Sequence, residues 1–110
     1  MTEDRELRSL DDRLQPFAAA LLQVLRQYQP NVYITSGKRS TRDQERLYVR
    51  FKAGLSRYPA APPGNSKHEL GIAFDLGNLD PHLIRAAGHL WESWGGRWGG
   101  RFRDVIHFEG

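Results

Sequence analysis

Residues 66–76, S-K-H-E-L-G-I-A-F-D-L, constrain the fold more than any other stretch of the chain. They set one imidazole, His68, and one carboxylate, Asp75, seven residues apart, with Gly71 and Ala73 between them. A glycine and an alanine leave the backbone room to pass closely by a neighbouring segment. Imidazole and carboxylate are also common ligands of a borderline divalent metal such as zinc. Two ligands do not hold a catalytic metal, so a fold built on this stretch must bring a third from elsewhere. The candidate is His107, three residues from the C-terminus.

A chain of 110 residues is one domain with a single core. The absence of cysteine excludes disulfides, a thiolate metal site and a cysteine nucleophile. A formal net charge of +3 and a pI near 9.6 suit an anionic polymer (cell wall, membrane surface or nucleic acid) without choosing among them. The N-terminus is charged throughout, with no apolar signal region, and no stretch is long and apolar enough to insert in a membrane. A role outside the cytoplasm therefore needs another route of release.

Residues 1–11 read as a polar lead-in. A helix follows over residues 15–29, with Pro16 in its first turn and Phe17, Leu21, Val24, Leu25 and Tyr28 on one face. Pro30 stops it, and N-V-Y-I-T at 31–35 alternates as a short strand. Thr41 and Gln44 have capping-box spacing, so a second helix should begin there, bury Leu47, Tyr48 and Phe51, and end at Gly54. Residues 55–65, with three prolines and a glycine, form a mobile loop flanking a site. A buried strand is expected at 72–76, and Asp80-Pro81 starts a third helix that turns Leu83, Ile84, Ala87, Leu90, Trp91 and Trp94 inward. V-I-H-F-E at 105–109 reads as the last strand. The expectation is an α+β domain, a short antiparallel sheet flanked by helices.

His68, Asp75 and His107 all fall in or beside expected strands, so one sheet is able to gather them. Two histidines and a carboxylate leave a fourth position open, the catalytic rather than the structural zinc pattern. Asp104, three residues before His107, is placed to act as a general base, and Arg39 to hold an oxyanion or a substrate carboxylate. Spacing alone also allows two partly buried structural histidines and an aspartate capping a turn. Ser66 suits a turn hydrogen bond rather than a nucleophile, since no base and acid are arranged around it. Glu109 either orients a ligand or lines the cleft, or else ends the chain in solvent. Lys67 and Glu69 read as exposed neighbours of His68, and His82 and His89 as surface residues. Trp91, Trp94 and Trp98 read as core and cleft walls.

Five segments carry a family resemblance: S-G-K-R-S at 36–40, Gln44 with Leu47-Tyr48, P-G-N-S-K-H-E-L-G-I-A-F-D at 63–75, W-G-G at 98–100 and D-V-I-H-F-E at 104–109. Together they resemble the zinc peptidases that include VanY-type D-alanyl-D-alanine carboxypeptidases and the phage and bacterial L-alanyl-D-glutamate endopeptidases, a group sharing its fold with the hedgehog signalling domain. The resemblance implies one Zn²⁺ per chain on His68, Asp75 and His107. It implies a zinc-activated water with Asp104 as acid and base and Arg39 on the substrate carbonyl. Ser66, Gln44 and Glu109 are the implied supporting or substrate-binding residues. In this group an aspartate three residues before the last histidine accompanies endopeptidases, and a glutamate carboxypeptidases and dipeptidases. Asp104 thus points to cleavage between L-alanine and D-glutamate in the peptidoglycan stem peptide.

Further expectations follow from that reading: a monomeric, endolysin-like catalytic domain over residues 1–110 without a wall-binding domain. With no signal peptide, it would reach the wall by holin-type or particle-borne release. The competing readings are a D-alanyl-D-alanine carboxypeptidase and a catalytically silent zinc-containing wall-binding module. The presence of both Asp104 and Arg39 favours catalysis over the silent module. A nucleic-acid binder is disfavoured because the basic residues are spread along the chain among acidic ones.

Overall fold

The computed structural model describes residues 4–110; the first three residues of the expected lead-in lie outside the described residues. The chain runs α1 (Arg5–Arg8), α2 (Gln15–Leu25), β1 (Tyr33–Ser36), α3 (Thr41–Lys52), β2 (Ala73–Gly77), α4 (Pro81–Ser93), β3 (Arg97–Trp98) and β4 (His107–Glu109). Short 3₁₀ turns at Lys67–Leu70 and Gly99–Phe102 precede β2 and β4. The four strands form one antiparallel sheet in the order β1-β2-β4-β3, the α+β arrangement expected.

One side of this sheet carries the core. Phe74 and Leu76 of β2 and Phe108 of β4 are fully buried there, with Phe74 stacked on Phe108 and edge-on to Trp91 of α4. Alternation then sends their neighbours Ala73, Asp75, His107 and Glu109 to the opposite side. The core face is closed by α2 and α4. Asp80 caps α4 by accepting from the Leu83 N–H at 2.8 Å, with Pro81 at the first helical position, as the Asp-Pro pair predicts.

Several expectations are corrected. The buried stripe of α2 is Ala18, Leu21, Leu22 and Leu25, continued by Leu14 before it, so Phe17 is 52% and Tyr28 70% exposed. Ala18, with no exposed surface, takes the core-facing position next to Phe17, so the stripe is rotated by one residue. The helix ends at Leu25 rather than near residue 29. The Tyr28 N–H bonds back three residues to Leu25, and the Arg26 side chain donates to the Val32 carbonyl, turning the chain into β1. The lead-in also holds structure: Leu10 is buried in the core, the Gly37 N–H donates to Glu6 and the Lys38 N–H to Ser9. The cap of α3 is Ser40, accepting from the Asp43 N–H, rather than Thr41. Only Gln44 of that helix is buried, since α3 stands beside the polar side of the sheet and not against the core. Trp94 is 38% exposed at the end of α4. The last strand begins at His107, because residues 105 and 106 are spent in the turn that leads into it.

Candidate active site

Strand register places the first pair of candidate residues. Asp75 lies directly opposite His107 in the β2–β4 pair, and Ala73 opposite Glu109. Directly opposed residues share a face at about 4.5–5.5 Å between Cβ atoms. A half-buried aspartate therefore meets a buried histidine across the sheet, 32 residues away in sequence.

The turn before β2 brings His68 to the same point. Ser66 caps it, its Oγ accepting from the His68 N–H, while Glu69 reaches back to the Ser66 N–H. Glu69 also accepts from the Gly64 N–H and the Thr41 hydroxyl. It is thus the anchor that ties the 55–65 loop and α3 to the turn, not an exposed bystander. The Ser66-x-x-Glu69 spacing is itself a capping-box signal, present in the sequence and unread. Gly71 closes the turn in the left-handed region (φ 74°), and its carbonyl accepts from the Asp11 N–H. The Arg39 N–H bonds the His68 carbonyl at 2.9 Å, docking the turn on the end of β1.

Hydrogen bonding then fixes which ring nitrogens face inward. His68 Nδ1 is 2.8 Å from the Gly37 carbonyl, which only accepts, so that nitrogen carries the proton and Nε2 presents a lone pair. His107 Nε2 lies 2.7 Å from a Glu109 carboxylate oxygen, so its Nδ1 presents the other. Asp75 Oδ1 sits 3.2 Å from His68 Nε2 and 3.3 Å from His107 Nδ1. One ligand atom from each of the three residues lies within 4.8 Å of the others. Three acceptors converging in a buried pocket repel one another unless a cation or a proton lies among them. This donor set fits a divalent metal, and each imidazole has the outer acceptor that metal-bound histidines require.

The electrostatics agree. With a proton in the metal's place, burial alone would raise the Asp75 carboxyl, yet hydrogen bonding to the His107 and His68 rings holds it down to about 2. Burial would lower His107, but its bonds to Asp75 and Glu109 push it upward. The site draws in positive charge.

Asp104 stands beside this trio, one oxygen 4.0 Å from His107 Nδ1. Burial, and next the charge of Asp75, push its carboxyl up to about 6. It is placed by the Gly99–Phe102 turn: the Asp104 N–H donates to the Gly99 carbonyl, and the His107 N–H to the Asp104 carbonyl. A Cβ on Gly99 would overlap that Asp104 carbonyl and press on His107, which explains the glycine in the W-G-G run. Gly99→Ala should cost about 1–3 kcal/mol in a denaturant titration and lower hydrolysis with it, because the shift lands on Asp104 and His107.

Arg39 faces the trio from the end of β1. Its guanidinium donates to Ser36 Oγ at 2.7 Å and to Gln44 Oε1 at 2.8 Å, and lies 3.5 Å from Asp75 Oδ2. Burial is the main influence on it and lowers its pKa, opposed by Asp75 and Asp104. Gln44, 1% exposed, donates from its amide to the Ala61 carbonyl, so one buried side chain aims Arg39 and holds the 55–65 loop.

These residues line one cleft of about 550 Å³. Ser66, Gln44 and Glu109 all border it; Glu109 is 6% exposed and 2.7 Å from the His107 ring, so it does not end the chain in solvent. Sequence reading missed Tyr58, Arg97 and Phe102, which form its rim. Arg97 lies over the Phe102 ring and 3.6 Å from Glu109. No periodicity marks residues held by turns, so only the fold reveals them. His82 and His89 lie exposed on α4, away from the cleft.

The profile of the VanY family, D-alanyl-D-alanine carboxypeptidase, matches residues 7–98. The chain belongs to that family. The matched span includes Arg39, His68 and Asp75, and ends before Asp104 and His107. Among solved structures, the chain is similar to the vancomycin resistance D,D-pentapeptidase VanY of a VanB-type cassette in complex with Zn(II). That match has 21% identity and a TM-score of 0.68 over 91% of this chain and 71% of the other. VanYB in complex with D-alanine-D-alanine matches at 20% identity and a TM-score of 0.69, over 91% and 70%. The Serratia marcescens L-Ala D-Glu endopeptidase ChiX matches at 20% identity and a TM-score of 0.59, over 94% and 82%. At these identities the structures establish a shared fold. No curated protein sequence matches the chain.

Proposed function

We propose that this VanY-family peptidase is a zinc-dependent hydrolase of the peptidoglycan stem peptide, and that it cuts between L-alanine and D-glutamate. The observation that carries the hydrolytic reading is the convergence of His68 Nε2, Asp75 Oδ1 and His107 Nδ1 with a raised carboxyl, Asp104, beside them. These three residues would hold the zinc. When bound, zinc supplies Lewis acidity, polarising a carbonyl and lowering the pKa of water towards about 7.

The chain's own groups do the rest. Asp104 takes a proton from the attacking water as its oxygen bonds to the amide carbon, then passes it to the leaving nitrogen as the C–N bond breaks. Burial, which raises the Asp104 carboxyl, favours its holding that proton between the two steps. Arg39, braced by Gln44 and Ser36, offers charge to the carbonyl oxygen as it turns anionic. Glu109 keeps the His107 ring in register, and Ser66 keeps the turn of His68.

The endopeptidase reading rests on the shorter Asp104 in place of a glutamate, together with likeness to an L-Ala D-Glu endopeptidase. A second reading, D-alanyl-D-alanine carboxypeptidase, is favoured by the description of the matching family. Mass spectrometry of digested peptidoglycan separates them. The first predicts new L-alanine carboxyl ends and D-glutamate amino ends; release of free D-alanine assigns the second.

A further inference from the structure

Residues 38–57 carry seven cations against two carboxylates, a net +5, whereas the whole chain is only +3. The other 90 residues therefore hold nine cations against eleven carboxylates, a net −2. The basic residues that look evenly spread in the sequence are concentrated on α3 and its flanks.

On α3 the concentration becomes a stripe. Arg42, Arg46 and Arg50 recur every fourth residue, all exposed, along about 12 Å of one helix face. Gln44 and Leu47, on the other side of the helix, line the cleft. Like charges at this spacing oppose helix formation. Little relieves them here: Arg46 lies 3.8 Å from Asp43 with both side chains largely exposed, and among the described residues Arg42 and Arg50 have no ion pair. Folding does not account for the stripe, since Gln44 is the only buried residue of α3.

We propose that the outer face of α3 is a docking surface for a flexible polyanion with repeated phosphodiester groups, of the kind carried on a bacterial wall. The match is one of charge and geometry. Guanidinium forks pair with phosphate oxygens two at a time, and a row of three follows a chain of such groups. Because the inner face of the same helix walls the cleft, a polymer held on α3 keeps the cleft at the wall surface. The polymer's place on the wall rests on the peptidase reading; the recognition of phosphate does not.

The test uses the full chain and two variants of equal net charge: Arg42→Gln/Arg46→Gln/Arg50→Gln, and a control, Arg5→Gln/Arg13→Gln/Arg85→Gln, altered at exposed arginines elsewhere. Binding to long-chain polyphosphate and to purified walls is measured across a salt series, beside walls stripped of phosphate polymer and vesicles containing phosphatidylglycerol. The stripe variant should lose about tenfold or more in affinity for polyphosphate and intact walls, with a shallower salt dependence. The control should bind as the parent does. Both variants should cleave soluble stem-peptide fragments at the parental rate, so failed binding and failed catalysis are told apart. Equal losses in the two variants would reduce the effect to net charge and overturn the proposal. So would undiminished binding to stripped walls, or binding to vesicles as tight as to polyphosphate, which would assign the face to a membrane.

Discussion

Asp104→Asn should fold, retain its metal and lose hydrolysis by about 10²–10⁴-fold, the range that a positioned acid–base group contributes. Amide and carboxyl are nearly isosteric, so the bonds from the Asp104 backbone to Gly99 and His107 survive the change. Only the ability to take a proton is removed. Near-parental turnover with metal content intact would exclude Asp104 as the base.

The same substitution carries a stability signature in metal-free protein. The folded carboxyl of Asp104 lies near 6, above its ordinary 3.8, so its ionisation opposes folding. That penalty is absent below the unfolded value, grows between 3.8 and about 6, and is complete above. The rise from 3.8 to about 6 sets a ceiling of about 3 kcal/mol. His107, raised from 6.5, acts in the same sense: its contribution is present below that value and lost as pH rises through the folded one. Asp75, held down to about 2, acts oppositely and loses its contribution as pH falls from 3.8 towards that value. The metal-free protein should therefore melt highest near pH 4–5, between these windows, and lower at pH 7.5. Asp104→Asn should raise melting at pH 7.5 by part of that ceiling and flatten the fall. An unchanged profile would mean that Asp104 is solvated rather than strained.

Removal of the metal is the second large effect. Treatment with a chelator should abolish hydrolysis and lower the melting temperature at pH 7.5, because the charges of Asp75 and Asp104 then oppose each other without the metal's charge beside them. Added zinc should restore both, with stabilisation growing logarithmically with free zinc above its dissociation constant. His68→Ala should abolish the response. Full activity in excess chelator would remove the zinc mechanism altogether.

How much of this could be read from the chain depends on what each residue answers to. His68, Asp75 and His107 were legible as a candidate group from their types, but spacing left structural histidines equally open, and only the family resemblance favoured a ligand set. Their meeting depends on the Asp75–His107 register, which no single segment displays. The start of α4 was legible because Asp80 and Pro81 act locally. The buried face of α2 was not, because the assembled core takes Ala18 rather than Phe17, a choice that helical spacing does not make. Likewise Leu47 and Phe51 look like a core stripe until α3 is seen to stand beside a polar cleft, where only Gln44 is enclosed. Glu69 was misread for a different reason: its capping signal was plain, but its bonds to Gly64 and Thr41 come from separate parts of the chain.

Zinc-edge anomalous diffraction from crystals of the chain locates the metal itself. A single peak is expected, bonded to His68 Nε2, Asp75 Oδ1 and His107 Nδ1 at about 2.0–2.2 Å, with Asp104 alongside and unbonded. A peak elsewhere, or zinc-soaked crystals in which these three side chains stay bonded only to one another, would contradict it.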